Sequence, residues 1–175
     1  MCLSIVGKAQ KLDIHVAREY HTNGDFLKVK YEYYHDNWSE QKIIHGQYAE
    51  WSPNGILLHE MTYSHGEAYG TEKRYDKKGR LTQKTIWAKG KKFGEEQAFY
   101  SSGQLKQSME YRNGLKDGLF QYFDKQGVCR VKTYYRKGKR HGSLVQYDKK
   151  GKVKRTMEFL QGKKVYAPKP QKRKS

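Results

Sequence analysis

The sequence lacks long apolar runs and has few cysteines. No window approaches the about 18 consecutive apolar residues of a membrane-spanning helix, so we expect none. The apolar start at Met1–Val6 is too short for the core of a signal peptide, and we therefore expect an intracellular protein. The two cysteines, Cys2 and Cys129, form neither a C-x-x-C motif nor a disulfide framework, which favours a reducing compartment.

The chain also has little material for a core. Hydrophobic residues make up only 35% of the sequence and charged residues 31%, which disfavours the thick two-sided core of a Rossmann or barrel enzyme. Aromatic residues nevertheless reach 14%, with 15 tyrosines, which is more than a disordered basic chain carries. The composition predicts a folded, thin, β-rich protein.

Positive charge is concentrated near the C-terminus. Residues 130–175 contain 17 Lys and Arg but only two acids, Asp148 and Glu158, so they hold +15 of the net charge of +18. The first 129 residues carry 19 basic and 16 acidic side chains and are close to balance. This placement favours a local contact with an anionic partner. The alternative is a solvated lysine face that keeps an exposed sheet from stacking on itself.

Glycine repeats with a period of 24 residues in three parallel series. Their members are Gly46, Gly70, Gly94, Gly118 and Gly142 (first series), Gly55, Gly79, Gly103, Gly127 and Gly151 (second), and Gly66, Gly90, Gly114, Gly138 and Gly162 (third). Three series in phase over five units predict a tandem repeat architecture.

Two aromatic columns follow the same period. Five residues after each first-series glycine stand Trp51, Tyr75, Phe99, Phe123 and Tyr147, and eight after each second-series glycine stand Tyr63, Trp87, Tyr111, Tyr135 and Phe159. An aliphatic-sized residue follows the second-series glycine at +2 (Leu57, Leu81, Leu105, Cys129, Val153), and Met and Thr alternate at +6 (Met61, Thr85, Met109, Thr133, Met157). These columns are expected to be structural.

The spacing predicts one β-hairpin for each repeat. Offsets +2, +6 and +8 have the same parity, so we expect them on one apolar, aromatic face of a strand, with odd offsets on the other face. The linking sequences, such as Asp-Lys-Lys-Gly, are typical of a type I turn closed by a left-handed glycine. The G-x-x-x-G step from the third to the first glycine is expected to turn the chain into the next hairpin. The prediction is an all-β, elongated, single-layer, twisted antiparallel sheet.

Four segments are predicted along the chain. Residues 1–16 form an N-terminal lead-in, and residues 17–45 form a degenerate capping repeat, because the aromatic-x-x-x-Gly turn at Tyr20–Gly24 is followed by a seven-residue insertion. Residues 46–166 form the five 24-residue hairpin repeats. Residues 167–175 have the composition of a basic flexible tail.

The repeat unit resembles the variant form of the MORN repeat. The closest segments are Gly138-Lys139-Arg140-His141-Gly142 and Gly90-Lys91-Lys92-Phe93-Gly94, which are similar to the family's G-K-x-x-G, and the resemblance covers roughly residues 17 to 166. It implies elongated antiparallel sheets that serve as scaffolds, dimerisation surfaces or peripheral membrane contacts. It brings no catalytic residues. The chain departs from the pattern at Leu115, which replaces the lysine after the third-series glycine.

The sequence gives little support for an enzyme active site or a metal site. His45, His65 and His141 precede turn positions in different repeats and are expected to be spread along the sheet, with no Cys or carboxylate cluster at ligand spacing. Cys129 stands in a leucine column and is interpreted as a small buried hydrophobe. No nucleophile is paired with a base, so we expect no enzyme, no cofactor, no metal and no small-molecule substrate.

The basic residues are the candidate functional residues. The +3 column after the second-series glycine becomes cationic in the later repeats, and the turns and the tail add further charges. The candidate anion-binding residues are Lys106, Arg130, Lys132, Lys139, Arg140, Lys154, Arg155, Lys163, Lys164, Lys172, Arg173 and Lys174.

Two functions remain open. The first is a non-catalytic scaffold that binds another protein, or a second copy of itself, through its sheet face or end strand. Its basic C-terminal end would contact an acidic membrane surface or nucleic acid. The second is a nucleic-acid-associated or virion packaging protein that contacts the phosphate backbone without reading bases.

Overall fold

The computed structural model describes residues 12–22, 24 and 26–166, which form one antiparallel sheet of 13 strands. The strands lie in the sheet in chain order, each hydrogen-bonded to its sequence neighbours. They are His15–Tyr20 (β1), Leu27–His35 (β2), Lys42–Trp51 (β3), Leu57–Ser64 (β4), Glu67–Tyr75 (β5), Leu81–Ala88 (β6), Lys91–Phe99 (β7), Leu105–Arg112 (β8), Leu115–Phe123 (β9), Cys129–Arg136 (β10), Lys139–Tyr147 (β11), Val153–Leu160 (β12) and Lys163–Val165 (β13).

This architecture confirms the predicted all-β, single-layer sheet of tandem hairpins. The described residues contain no helix, and the sheet is open rather than closed into a barrel. At about 4.8 Å between neighbouring strands, thirteen strands extend over roughly 60 Å. The predicted tail at 167–175 and the lead-in up to residue 11 lie outside the described residues.

Two kinds of turn alternate along the sheet. At the second-series glycines, the Gly55 N–H donates to the Ser52 carbonyl at 2.9 Å and the Ser52 N–H donates to Ile56 at 2.8 Å, as in a type I hairpin turn. In three of these turns, the aspartate that opens the turn accepts hydrogen bonds from backbone N–H groups within the same turn. For example, Oδ1 of Asp76 accepts the backbone N–H groups of Lys78 and Arg80.

The other turn holds only two residues, and its second residue is a third-series glycine. His65 and Gly66 both have positive φ, 51° and 80°, and the same pattern recurs at each third-series glycine, as in a type I′ turn. The first-series glycine of the G-x-x-x-G step lies inside the following strand instead, as Gly70 does in β5. The G-x-x-x-G step does turn the chain, but the turn occupies only the start of the step and the remainder is strand.

The distribution of columns between the two faces also differs from the prediction. The register pairs Glu50 with His59 but Trp51 with Leu57, so Leu58 is an extra, bulged residue at +3. The same shift recurs in each repeat. Because a bulge breaks the alternation of side chains, +2 does not share a face with +6 and +8.

The two aromatic columns therefore lie on opposite faces. We call the face with Met61, Thr85, Met109, Thr133 and Met157 the Met/Thr face, and it also carries the Tyr63 to Phe159 column. The Trp51 to Tyr147 column pairs with the Leu57 to Val153 column on the reverse face. Hydrogen bonds agree with this assignment, since Tyr75 bonds Glu60 on the reverse face and Trp87 bonds Glu72 on the Met/Thr face.

The core is a narrow line along the Met/Thr face. Thr85 and Thr133 are 1% exposed, and Met61 and Met109 are 5% and 3% exposed. The buried residues of the described chain also include His59 and Glu72, which are polar. The core is thin, as the composition predicts, because one sheet has no second layer to cover it.

Backbone hydrogen bonds link each two-residue turn to the preceding repeat. The Gly90 N–H donates to the carbonyl of Ala68 at 3.0 Å, and the Gly138 N–H donates to Lys116 at 2.8 Å. The same bond forms at the other third-series glycines. The turns therefore stack into a continuous edge of the sheet, which we call the two-residue-turn edge.

Candidate anion-binding surface

The predicted cations are distributed over both faces of the sheet. By register, Arg140, Arg155 and Lys164 lie on the Met/Thr face, whereas Lys132, Lys139 and Lys163 lie on the reverse face. Lys106, Arg130 and Lys154 are the bulged residues, and Lys172, Arg173 and Lys174 lie outside the described residues. The structure therefore does not gather the predicted set on one face.

Two of the three bulged cations have internal partners. Nη1 of Arg130 lies 3.4 Å from Oδ2 of Asp124, and this arginine side chain is only 26% exposed. Nζ of Lys106 lies 5.8 Å from the centre of the Tyr100 ring. Lys154 is exposed.

A row of alternating aromatic and cationic side chains runs along the Met/Thr face. It is built from the cross-strand pairs Trp87–Lys92, Tyr111–Lys116, Tyr135–Arg140 and Phe159–Lys164. Nζ of Lys92 lies 5.0 Å from the Tyr111 ring, Nζ of Lys116 lies 5.3 Å from the Tyr135 ring, and the Arg140 guanidinium lies 5.6 Å from the Phe159 ring. We call these eight residues the aromatic–cation row.

Lys92 and Lys116 were missed as candidates from the sequence. A signal for them exists, because the position two residues after each third-series glycine reads Ala68, Lys92, Lys116, Arg140 and Lys164. Equivalent positions in successive repeats lie two strands apart, so the cations are spaced by about 10 Å. Cation–π contacts of this kind hold Lys92, Lys116 and Arg140 over a ring of the next repeat.

A carboxylate neutralises only the first cation of this row. Lys92 forms a salt bridge with Glu96, and Glu96 also accepts hydrogen bonds from Gln83 at 3.1 Å and Tyr111 at 3.3 Å. Burial and the neighbouring Glu96 raise the pKa of Tyr111 to about 12. The position of Glu96 is taken by Phe120 and Leu144 in the next two repeats. Within the described part of the chain, Lys116, Arg140 and Lys164 have no salt-bridge partner.

One repeat earlier, the equivalent acid is Glu72, which is the centre of a buried polar cluster. Its carboxylate contacts Nε2 of His59 at 3.0 Å, Nε1 of Trp87 at 2.8 Å and the Arg74 guanidinium at 2.7 Å. Burial alone would raise the pKa of Glu72, but the hydrogen bonds from His59 and Trp87 and the charge of Arg74 lower it to about 2. The acidic column, with Glu72 and Glu96, thus belongs to the earlier repeats.

The histidines do not all behave as predicted. The rings of His45 and His65 lie 4.8 Å apart, and the His65 N–H donates to Nδ1 of His45 at 3.2 Å, so the expected spreading is wrong for this pair. They meet because the His65–Gly66 turn bonds back to β3, where the Gly66 N–H donates to the Ile44 carbonyl at 2.8 Å. In the described residues, no group of three or more His, Cys, Asp or Glu could hold a metal ion. Cys129 is half-buried opposite Phe123.

These observations define an open-sheet β-hairpin repeat protein with one strongly basic end. Residues 44–65 and 94–113 match the family model described as MORN repeat variant. The predicted resemblance to the variant MORN repeat is thereby confirmed for these two segments. No curated protein matches the chain. MORN repeats generally mediate protein or membrane-lipid contacts, and proteins built from them are generally non-catalytic scaffolds.

The described residues contain no helix long and apolar enough to cross a membrane.

Proposed function

We propose that the protein is a non-catalytic scaffold whose basic C-terminal end contacts an anionic partner. The observation that carries the proposal is the loss of the acidic column after Glu96 while the cations of the aromatic–cation row continue. Lys116, Arg140 and Lys164 are exposed, and their charges are therefore available to a partner. The rest of the sheet, with its second face and its end strands, would hold another protein or a second copy of the chain.

An acidic membrane surface is the first candidate partner. The cations of the row lie on one face at regular intervals, so several of them could approach one plane at the same time. Each Lys or Arg near an anionic bilayer surface contributes about 1 kcal/mol of binding free energy. Three such residues supply about 3 kcal/mol, which corresponds to roughly a 100-fold gain in affinity. This would be a peripheral contact from the intracellular side.

Nucleic acid is the second candidate, and a different observation favours it. Arg155 and Lys164 lie on the Met/Thr face while Lys132, Lys139 and Lys163 lie on the reverse face, so a flat bilayer cannot contact both sets at once. A flexible polyanion can wrap around the thin end of a sheet and reach both. Such binding would neutralise phosphates without reading bases, as in a packaging protein.

A charge-reversal experiment tests the proposal. The variant K116E/R140E/K164E should lose at least about 100-fold in affinity for acidic vesicles or for nucleic acid, because three attractions become repulsions. The matched control K77E/K78E/K125E makes the same charge change at exposed positions of the opposite sheet edge and should keep most of the binding. Binding to phosphatidylserine vesicles and to duplex DNA is measured at one salt concentration. Equal affinities of the two variants for both probes would refute the proposal.

A further inference from the structure

A concave site lies at the two-residue-turn edge, between the turns of the last two repeats. It has a volume of about 490 Å³ and is lined by Arg136, Lys137, Lys139, His141 and Gln161. Arg136 and Lys139 are cross-strand partners that flank the turn, so both side chains leave the sheet on the reverse face. We call this site the edge pocket.

The same pocket occurs three repeats earlier with a different lining. There a volume of about 260 Å³ is lined by Ser64, His65, Glu67, Tyr69 and Lys89, which are the positions equivalent to Arg136, Lys137, Lys139, His141 and Gln161. The cavity is therefore a product of the repeat backbone. Its chemistry is set by the side chains, and the later pocket replaces Ser64 by Arg136 and Glu67 by Lys139.

The edge pocket concentrates positive charge that nothing in the described chain compensates. Three side chains of its lining are cationic, and no carboxylate of residues 12–22, 24 and 26–166 forms a salt bridge with Arg136, Lys137 or Lys139. Like charges directly opposite each other on neighbouring strands destabilise a sheet. The Arg136–Lys139 pair therefore costs stability unless an anion lies between the two groups.

The lining is rich in hydrogen-bond donors. A guanidinium offers a planar fork of N–H groups, an ammonium offers three N–H donors, and the Gln161 amide offers two more. The Arg136, Lys139 and Gln161 side chains come from the two sides of one turn and from the next turn, so they approach the pocket from separate directions. Donors that converge from several directions suit a tetrahedral oxyanion, and three positive charges suit a dianion.

We propose that the edge pocket binds the terminal phosphate of a phosphomonoester. This proposal deepens the proposed function and rests on it, because it names the chemical group of the anionic partner that the basic end recognises. A terminal phosphate carries close to two negative charges at neutral pH and exposes three oxygens. A phosphodiester within a nucleic-acid backbone carries one charge and exposes two, so it uses fewer of the donors.

The experiment exchanges the chemistry of the two equivalent pockets in the full chain. The variant R136S/K139E gives the edge pocket the serine and glutamate that the earlier pocket already carries, so the repeat backbone is known to accept them. The control K149S/K152E makes the same charge change at exposed positions of the opposite edge. The reciprocal variant S64R/E67K gives the earlier pocket the two cationic side chains.

Binding of inorganic phosphate and of phenyl phosphate is followed by NMR at fixed ionic strength. The native chain should show one saturable site with shifts at residues 136–141, R136S/K139E should bind at least about tenfold more weakly, and the control should stay within about twofold. The variant S64R/E67K should gain a second site, and this gain tests the proposal even if the loss variant folds poorly. No saturable shift at 136–141, or equal binding by R136S/K139E and its control, would overturn it.

Further arms identify the source of the phosphate. A preference for a 5′-phosphorylated over a dephosphorylated oligonucleotide assigns the group to nucleic acid, and a preference for phosphatidic acid over phosphatidylserine vesicles assigns it to lipid. Binding of the small phosphates without either preference supports a free phosphomonoester. The experiments distinguish a failure of the pocket proposal from a failure of the proposed function. If K116E/R140E/K164E loses the polyanion while R136S/K139E changes nothing, the pocket is refuted and the scaffold function stands.

Discussion

Replacing Glu72 by glutamine should destabilise the sheet through the loss of one buried charge. The Glu72 side chain is only 5% exposed and is held by His59, Trp87 and Arg74. Its pKa is about 2 in the folded protein, against 4.5 for an ordinary glutamate. At about 1.4 kcal/mol for each pKa unit, the carboxylate contributes about 3 kcal/mol to the free energy of unfolding.

The pH at which this contribution disappears follows from the sign of the shift. Because the folded-state pKa of Glu72 is lowered, the stabilisation is complete above pH 4.5 and is lost as the pH falls from 4.5 to about 2. Glutamine cannot titrate, so E72Q lacks this loss. The native chain should therefore exceed E72Q by about 3 kcal/mol at pH 7, and the two should converge near pH 2.

Urea unfolding at a series of pH values, followed by tryptophan fluorescence, measures this difference. Acidic groups that both proteins share cancel in the comparison, so the pH dependence of the difference isolates Glu72. The control E95Q removes an exposed carboxylate of the same sheet and should stay within about 0.5 kcal/mol of the native chain at every pH. A native-minus-E72Q difference that does not change between pH 7 and pH 2 would refute the reasoning.

Three further stability predictions can be checked by thermal or urea unfolding. G118A should cost at least about 2 kcal/mol more than G142A, because both have positive φ but an added Cβ at Gly118 would lie 2.7 Å from Cβ of Glu110, whereas nothing lies within 4 Å at Gly142. K89N should stabilise by about 0.5–1 kcal/mol, because asparagine tolerates the φ of 50° better than lysine in a type I′ turn. T133V should be neutral or stabilising while T85V costs about 1 kcal/mol, because the buried Oγ1 of Thr133 has no hydrogen-bond partner in the described structure whereas that of Thr85 bonds Gln83.

The repeat architecture was predictable because glycine and aromatic residues mark positions that few other residues can occupy. Gly66 and Gly90 have φ near +80° and +69°, which most L-residues avoid, so their spacing directly reports where turns fall. The Tyr63 to Phe159 column marks the strand position that contacts the next repeat. Residues under such local constraints recur at fixed offsets in the sequence. The order of the strands in the sheet follows once each repeat forms a hairpin.

The faces of the sheet were less predictable, because a bulge is set by hydrogen-bond geometry rather than by a residue type. The bulged +3 column changes from Leu58 and Thr82 to the cationic Lys106, Arg130 and Lys154, so no single residue type marks the bulge. A strict period of two across the bulge therefore predicts +2 on the same face as +6 and +8, whereas the register puts +2 on the reverse face. The contact between His45 and His65 was missed for a related reason, since it depends on how a turn packs against β3 of the preceding repeat rather than on sequence spacing.

One column of equivalent positions changes from acidic to apolar along the sheet, and this change links the stability of the sheet to its charge. The column reads Glu72, Glu96, Phe120 and Leu144. In the earlier repeats, Glu72 and Glu96 secure Trp87 and Tyr111 by hydrogen bonds and neutralise nearby cations.

In the later repeats, Phe120 packs edge-on against Tyr135 at 6.4 Å and Leu144 is 7% exposed, so apolar packing replaces those hydrogen bonds. Packing keeps the hairpins together without supplying negative charge. A glutamate at position 120 or 144 would stand four residues after Lys116 or Arg140, as Glu96 stands after Lys92, with which it forms a salt bridge. The apolar residues at these two positions therefore leave Lys116 and Arg140 without a carboxylate partner in the described sheet, and the proposed contact with an anionic partner depends on this arrangement.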